Sequence, residues 1–115
     1  MSLADQKCTS CMGGSLPLSK EEVDVLRKEI PDWEVVENNI ERTYKFPNFV
    51  EAMKFANRIT NIAEEENHHP DLHISWGKVR VELTTHSING LSANDFIVAA
   101  KVDRLEGAKD EKPSI

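Results

Sequence analysis

The sequence predicts an α+β domain: a four-stranded antiparallel sheet with three helices packed on one face, in the order α-β-β-α-β-β-α. Three observations carry this. Segments with apolar residues at helical spacing alternate with pairs of segments in which apolar and polar residues alternate singly. Each helical segment begins at a recognisable cap. The strand segments come in pairs joined by short turns, and hairpins alternating with helices favour an antiparallel sheet covered on one side. At 115 residues the chain is the size of one domain, able to bury a modest core without staples.

Residues 1–15 hold Gly, Ser and Cys with little periodicity and read as a flexible N-terminal arm. Cys8 and Cys11 form a lone C-x-x-C. One such pair is half a zinc site and a weak redox motif without its strand-helix context, so the preferred reading is a reduced, loose tail. The first helix opens at Ser19 with Glu22 three residues later, a capping box. Val23, Leu26 and Ile30 make its stripe and Pro31 ends it. Trp33, Val35 and Val36 form a strand. Asn38-Asn39 forms a turn tolerant of left-handed geometry, and Ile40, Thr43, Tyr44 and Phe46 return as the partner strand.

Asn48 caps the second helix, with Glu51 as a second cap signal. Phe49, Ala52, Met53, Ala56, Ile59 and Ala63 keep helical spacing, flanked by Phe55 and Ile62, and the helix ends near Glu66. Leu72, Ile74 and Trp76 alternate with Asp71, His73 and Ser75 as a half-buried strand. Gly77 turns the chain into a second alternating strand, Val79 to Thr85. After the loop Ser87-Ile88-Asn89-Gly90, Ser92 and Asp95 cap the last helix, whose apolar side is Phe96, Ile97, Ala100 and Leu105. Residues 106–115 are Gly, Lys, Asp, Glu and Pro and read as a flexible tail.

Charge narrows the function. The net charge is −6 and the basic residues are scattered. Nucleic-acid surfaces need a basic patch and polybasic membrane anchors a cluster, so neither partner is expected. No apolar run approaches a membrane span and the start lacks signal-peptide character, so a cytoplasmic protein is expected.

The chemistry concentrates in Glu64-Glu65-Glu66-Asn67-His68-His69-Pro70-Asp71-Leu72-His73, which holds three of the four histidines. A helix C-terminus carries partial negative charge and disfavours acidic residues, so three glutamates there break a local rule. Carboxylates and the helix end both favour imidazolium, the state a general acid needs. Glu64 and His68 stand four apart and pair if the helix reaches His68. Pro70 holds His69 extended. A hairpin turning at Gly77-Lys78 would place His86 opposite His69. Plainer readings stand beside these. His73 is an exposed strand residue, Asp95 is explained by its cap, Trp76 by packing on the sheet, and His86 by a solvated strand end. A histidine-rich zinc site competes but fits poorly, since adjacent histidines rarely converge on one ion. No phosphate-binding glycine loop and no recognisable Ser or Cys nucleophile is present.

Glu64, then His68-His69-Pro70, an aromatic six positions after the proline (Trp76), His86 ten beyond it and Asp95 downstream match a family signature. Thr85-His86 followed by Gly90-Leu91-Ser92 resembles its second block. Over residues 16–105 the chain resembles the pterin-4a-carbinolamine dehydratases, and even the C-x-x-C leader is similar to that of some members. The resemblance implies dehydration of the 4a-hydroxytetrahydropterin (4a-hydroxytetrahydrobiopterin) left by aromatic amino acid hydroxylases, giving a quinonoid dihydropterin. It implies His68, His69 and His86 as catalytic residues, with Glu64, Pro70, Trp76 and Asp95 binding or supporting, no metal and no cofactor. His68 or His86 would protonate the leaving hydroxyl, His69 would position the pterin or take the N5 proton, and Glu64 would orient His68. A homodimer or homotetramer is implied. Two other roles are open: a dimerisation cofactor for a transcription factor, and a pterin-linked role outside hydroxylase recycling.

Overall fold

A computed structural model describes residues 3–9 and 16–105. The elements run α1 (Lys20–Arg27), β1 (Glu34–Val36), β2 (Asn39–Lys45), α2 (Phe49–Glu66), β3 (Asp71–Ser75), β4 (Lys78–Leu83) and α3 (Ala93–Asp103), with 3₁₀ turns at Leu3–Asp5 and His86–Ile88. The four strands pair antiparallel in the order β1-β2-β4-β3, which leaves β1 and β3 as edges. The three helices and four-stranded antiparallel sheet predicted from periodicity are present.

The caps act as their residue types dictate. Ser19 Oγ accepts from Glu22 N at 3.2 Å while Glu22 Oε1 accepts from Ser19 N at 2.9 Å. Asn48 Oδ1 accepts from Glu51 N at 2.9 Å. α1 is shorter than expected, stopping at Arg27, and Ile30 is buried by the turn that follows. α2 ends at Glu66, where Asn67 takes a left-handed conformation, φ 52°, and His68 N bonds back to Ala63 O.

One face of the sheet makes the core. Ile40 and Tyr44 from β2 lie beside Leu83 and Val79 from β4, and Val81 lies between them; all five are buried. Ala52, Phe55, Ala56, Ile59 and Ala63 of α2 and Phe96 to Ala100 with Val102 of α3 cover them. The α2 stripe is thus centred on Phe55, leaving Phe49 exposed and Met53 half-buried. The opposite face pairs Glu41 with Glu82 and Thr43 with Arg80, polar residues suited to solvent.

Two turns differ from expectation. β1 and β2 are joined through Glu37-Asn38, since Val36 pairs with Asn39, and the left-handed residue is Glu37 at φ 55°. β3 and β4 turn at Trp76-Gly77, since Ser75 pairs with Lys78. Each β3 residue therefore meets a β4 residue two positions earlier than a Gly77-Lys78 turn would give. Gly77 O accepts Phe46 N at 2.8 Å, and a β-carbon at Gly77 would lie 2.8 Å from Phe46 O. A glycine pressed against that carbonyl pins the turn. Trp76, expected to pack on the core or sheet face, is 69 % exposed in this turn.

Two polar features were not anticipated. Arg42, not Thr43, takes the inward position on β2. Its Nη1 meets Asp103 Oδ1 at 2.7 Å, and the same carboxylate accepts Trp33 Nε1 at 3.0 Å and the Tyr44 hydroxyl. Burial, with the Asp103 charge adding to it, pushes the Tyr44 phenol far above its usual range. The N-terminal arm, where described, is docked rather than loose. Leu3 is buried, Lys101 Nζ donates to Ala4 O at 3.0 Å, and Cys8 N donates to Glu66 Oε1 at 2.9 Å. Cys11 and the tail 106–115 lie outside the described residues.

Candidate active site

A cleft of about 400 Å³ opens where the end of α2, the end of β4 and the start of α3 meet, and His68, His69 and His86 all line it. Thr84 and Thr85 form part of its wall, and Thr9 and Asn94 another part. The three histidines arrive by separate routes. His68 leaves the helix just past left-handed Asn67, His69 precedes Pro70, and His86 opens the 3₁₀ turn.

His68 is largely covered, and its Nε2 lies 2.6 Å from Asp95 Oδ1. Asp95 is fully buried. Its other oxygen accepts Thr85 Oγ1 at 2.8 Å and Ser92 N at 2.9 Å. A hydroxyl has one proton, so with Thr85 donating to Asp95, the 2.7 Å contact between Thr85 Oγ1 and Ser92 Oγ has Ser92 as donor. An ionised carboxylate only accepts, so Nε2 of His68 carries the proton toward it, and Nδ1 is the nitrogen available to a ligand. The capping reading of Asp95 is correct but incomplete: the cap residue also holds His68.

The expected pairing of Glu64 with His68 is replaced by one with His69, Oε2 to Nε2 at 2.5 Å. The helix ends two residues before His68, and the left-handed Asn67 turns the chain off the helical face, so helical four-residue spacing does not apply there. The three glutamates also separate. Glu65 is exposed near Lys7. Glu66 is buried, and the Cys8 N–H bond, followed by the charges of Lys101 and Lys7, holds its carboxyl below the usual range. Burial, and then the Glu66 charge, pushes the Cys8 thiol up to about 12. Glu66 therefore anchors the arm, and only Glu64 of the three reaches a histidine.

His86 does not reach the cleft by hairpin register. The Thr85–Gly90 bridge closes a short loop beyond β4 and carries it there. Its side chain is exposed and makes no hydrogen bond or ion pair among the described residues. His73 lies outside the cleft, with Nε2 3.3 Å from Glu82 Oε2. Trp76, at the far end of β3, does not line it either. Sequence reading missed Thr9 and Asn94, which clasp one another: Thr9 N donates to Asn94 Oδ1 at 3.0 Å and Asn94 Nδ2 to Thr9 O at 2.5 Å. No local pattern marks that pairing across 85 positions. Thr85 was visible only as part of a family block. Among the described residues no group of three or more His, Cys, Asp or Glu is placed to hold a metal ion.

The family model for pterin 4 alpha carbinolamine dehydratase matches residues 16–105. The chain belongs to this family. A relative from Rubrobacter xylanophilus, named as a candidate pterin-4-alpha-carbinolamine dehydratase, is 48 % identical over 104 residues, 90 % of this chain and 97 % of that protein. One from Rickettsia canadensis with the same name is 53 % identical over 103 residues, 88 % and 94 % of the two chains. Among solved structures, a transcriptional coactivator/pterin dehydratase from Brucella melitensis superposes with a TM-score of 0.72 at 30 % identity, covering 76 % of this chain and 95 % of that one. A pterin dehydratase-like RuBisCO assembly factor of the alpha-carboxysome shares the fold at a TM-score of 0.54 and 18 % identity. Among the described residues, no helix of this dehydratase family member is long and apolar enough to cross a membrane.

Proposed function

We propose that the protein dehydrates a 4a-hydroxytetrahydropterin to the quinonoid dihydropterin, with the cleft histidines as acid and base. The observation that carries this is the convergence of His68, His69 and His86 on one cleft whose volume suits a small bicyclic ligand. The reaction breaks the C4a–O bond. A proton goes to the leaving oxygen, the N5 proton goes to a base, and the N5–H electron pair becomes the C4a=N5 bond. Water is lost and nothing is oxidised or reduced, so a positioned acid and base suffice.

His86, whose side chain has no partner among the described residues, donates to the hydroxyl from the cleft wall. His68, steadied by Asp95 through Nε2, is the alternative donor from Nδ1 when its ring is the imidazolium, and as the neutral ring it offers Nδ1 as an acceptor. His69, braced by Glu64, positions the ring or takes the N5 proton. In a cell, the product would feed pterin recycling for an aromatic amino acid hydroxylase. The test is turnover of synthetic 4a-carbinolamine by the purified protein. A rate above the uncatalysed one supports the reading, and a rate equal to it leaves a pterin-fold scaffold without this activity.

One observation favours an added binding role. Ile74 and Trp76 are exposed along the unpaired β3 edge, and Phe49 and Val50 are exposed at the start of α2. Apolar side chains beside an open strand edge suit association with another chain. Self-association to a dimer or tetramer is the first candidate, and the name of the Brucella relative adds a transcriptional partner as the second. Light scattering of the purified protein, alone and with Trp76→Glu, tests the first: the wild type should exceed one chain's mass and the variant should lose it.

A further inference from the structure

Residues 16–105 match the family model, and the N-terminal arm lies outside that match, yet it reaches the histidine cleft. The arm runs alongside α3 in the opposite direction. Lys101 Nζ donates to Ala4 O at 3.0 Å near one end, and Asn94 clasps Thr9 at the other. Leu3 is buried in the core, and its N–H donates to Glu29 Oε1 at 3.0 Å. Thr9 and Asn94 line the cleft with His68 and His69, so the arm supplies part of the wall.

The attachment is made by buried polar groups. Among the described residues, the buried polar or charged ones are Glu66, Thr85, Asn94 and Asp95. Thr85 and Asp95 serve His68, while Glu66 and Asn94 serve the arm. Glu66, the last residue of α2, accepts Cys8 N at 2.9 Å, and its other oxygen lies 3.7 Å from Lys101 Nζ. Asn94, near the start of α3, accepts from Thr9 N and donates to Thr9 O, which fixes that residue from two directions. Buried polar groups need partners, so both side chains are committed to a docked arm. Cys8 and Thr9 thus tie the end of α2 to the start of α3. The bond from His68 to Asp95 crosses the same seam, since His68 follows closely on Glu66 and Asp95 adjoins Asn94.

We infer that residues 3–9 are a strap closing one side of the histidine cleft, and that docking of the strap and binding of the pterin strengthen each other. The identity of the ligand rests on the dehydratase reading. A pterin in the cleft lies against Thr9 as well as the histidines, so it binds the strapped form more tightly. Such coupling is reciprocal: the factor by which docking tightens the pterin is the factor by which the pterin holds the strap. The histidines stay on the helix-and-sheet body, so releasing the strap weakens binding rather than chemistry. Asn94 is then a positioning residue, acting through Thr9.

The experiment releases the strap from either side in the full chain. Thr9→Pro removes the N–H that Asn94 accepts and leaves α3 untouched; Asn94→Ala removes the clasp from the helix. Thr9 is exposed and lies outside the helices and sheet, so its variant folds even where Asn94→Ala does not. The probe is 7,8-dihydrobiopterin, the stable isomer of the proposed product. Calorimetry gives its Kd, amide exchange gives the protection of Cys8, and kinetics on the carbinolamine give KM and kcat. Saturating pterin should raise Cys8 protection in the wild type about five- to tenfold. Kd and KM should rise by the same factor in both variants, with kcat within about twofold of wild type. Protection of Cys8 that is indifferent to the pterin would overturn the coupling. So would a variant whose Cys8 exchanges freely while its Kd stays at the wild-type value, or one that loses kcat with KM unchanged. Failure of the dehydratase reading looks different: the wild type turns over no carbinolamine, while binding and exchange still decide the strap. A wild type that binds no pterin overturns both.

Discussion

Replacing Asp95 by Asn separates its two roles. The buried carboxylate accepts from Ser92 N, Thr85 Oγ1 and His68 Nε2. An amide oxygen still accepts from Ser92 N, so the cap survives, since Asn is as good a cap as Asp. The amide NH₂ then faces His68 Nε2, because Ser92 N and Thr85 Oγ1 share the other oxygen. It forces Nε2 to accept, moving the proton to Nδ1 and reversing the tautomer offered to the substrate. A hydrogen bond to a charged group contributes about 1.5–3 kcal/mol, so losing one and neutralising the others should cost about 2–4 kcal/mol of stability. That is a large share of the roughly 5–15 kcal/mol expected of a domain this size. General acid or base catalysis by a positioned side chain contributes about 10²–10⁴-fold, so a His68 in the wrong tautomer should lower kcat by about 10–100-fold, less than deleting the ring. Urea denaturation and stopped-flow dehydration of synthetic carbinolamine measure the two effects. A variant of native stability with kcat within about twofold of wild type would show that Asp95 is only a cap, and would refute the link to His68.

Other consequences follow from the same geometry. Glu64→Ala should leave stability within about 1 kcal/mol, because the His69 pair is exposed, and should lower kcat less than Asp95→Asn does; steady-state kinetics and thermal melts check both. Asp103→Ala strands Trp33 and Tyr44 around a lost carboxylate, leaves Arg42 with the longer 3.7 Å contact to Asp32, and should cost about 3–5 kcal/mol, read by denaturant midpoint, with the histidine cleft intact. Because the Glu66 carboxyl is held below its usual range, its grip on the arm is present above about pH 4.5 and lost as pH falls through its lowered value. Protection of the Cys8 and Thr9 amides, measured relative to the intrinsic exchange rate at each pH, should fall under acid, and Glu66→Gln should abolish that step. Glu37→Gly should raise stability by roughly 0.5–1 kcal/mol by relieving the left-handed glutamate, measured by thermal melt.

How much was legible follows from range. Ser19 with Glu22, Asn48 and Ser92 with Asp95 mark helix starts because a cap is satisfied within three residues. Alternation gave β3 and β4 for the same reason. Their register was not legible, because Ser-Trp-Gly-Lys permits a turn at Trp-Gly or at Gly-Lys, and the choice rests on the Phe46 carbonyl, just past β2, pressing on Gly77. His68 and His69 were singled out together and both line the cleft, but Glu64, expected beside His68, pairs with His69, since the left-handed Asn67 that redirects the chain is a single backbone choice with no periodicity. Arg42 with Asp103, and Asn94 with Thr9, bind residues 61 and 85 positions apart, and neither end carries a local mark. The docked arm was missed likewise: its apolar contribution at Leu3 is one residue in a polar stretch.

The measurement that bears most directly on the chemistry is dehydration of synthetic 4a-carbinolamine by the His68→Ala, His69→Ala and His86→Ala proteins, each checked by circular dichroism. His86→Ala is the cleanest of the three, because the side chain is exposed and has no partner among the described residues. The expected result is native folding in His86→Ala with turnover reduced by at least about tenfold. Three natively folded variants, each dehydrating the carbinolamine at the wild-type rate, would contradict histidine catalysis in this cleft.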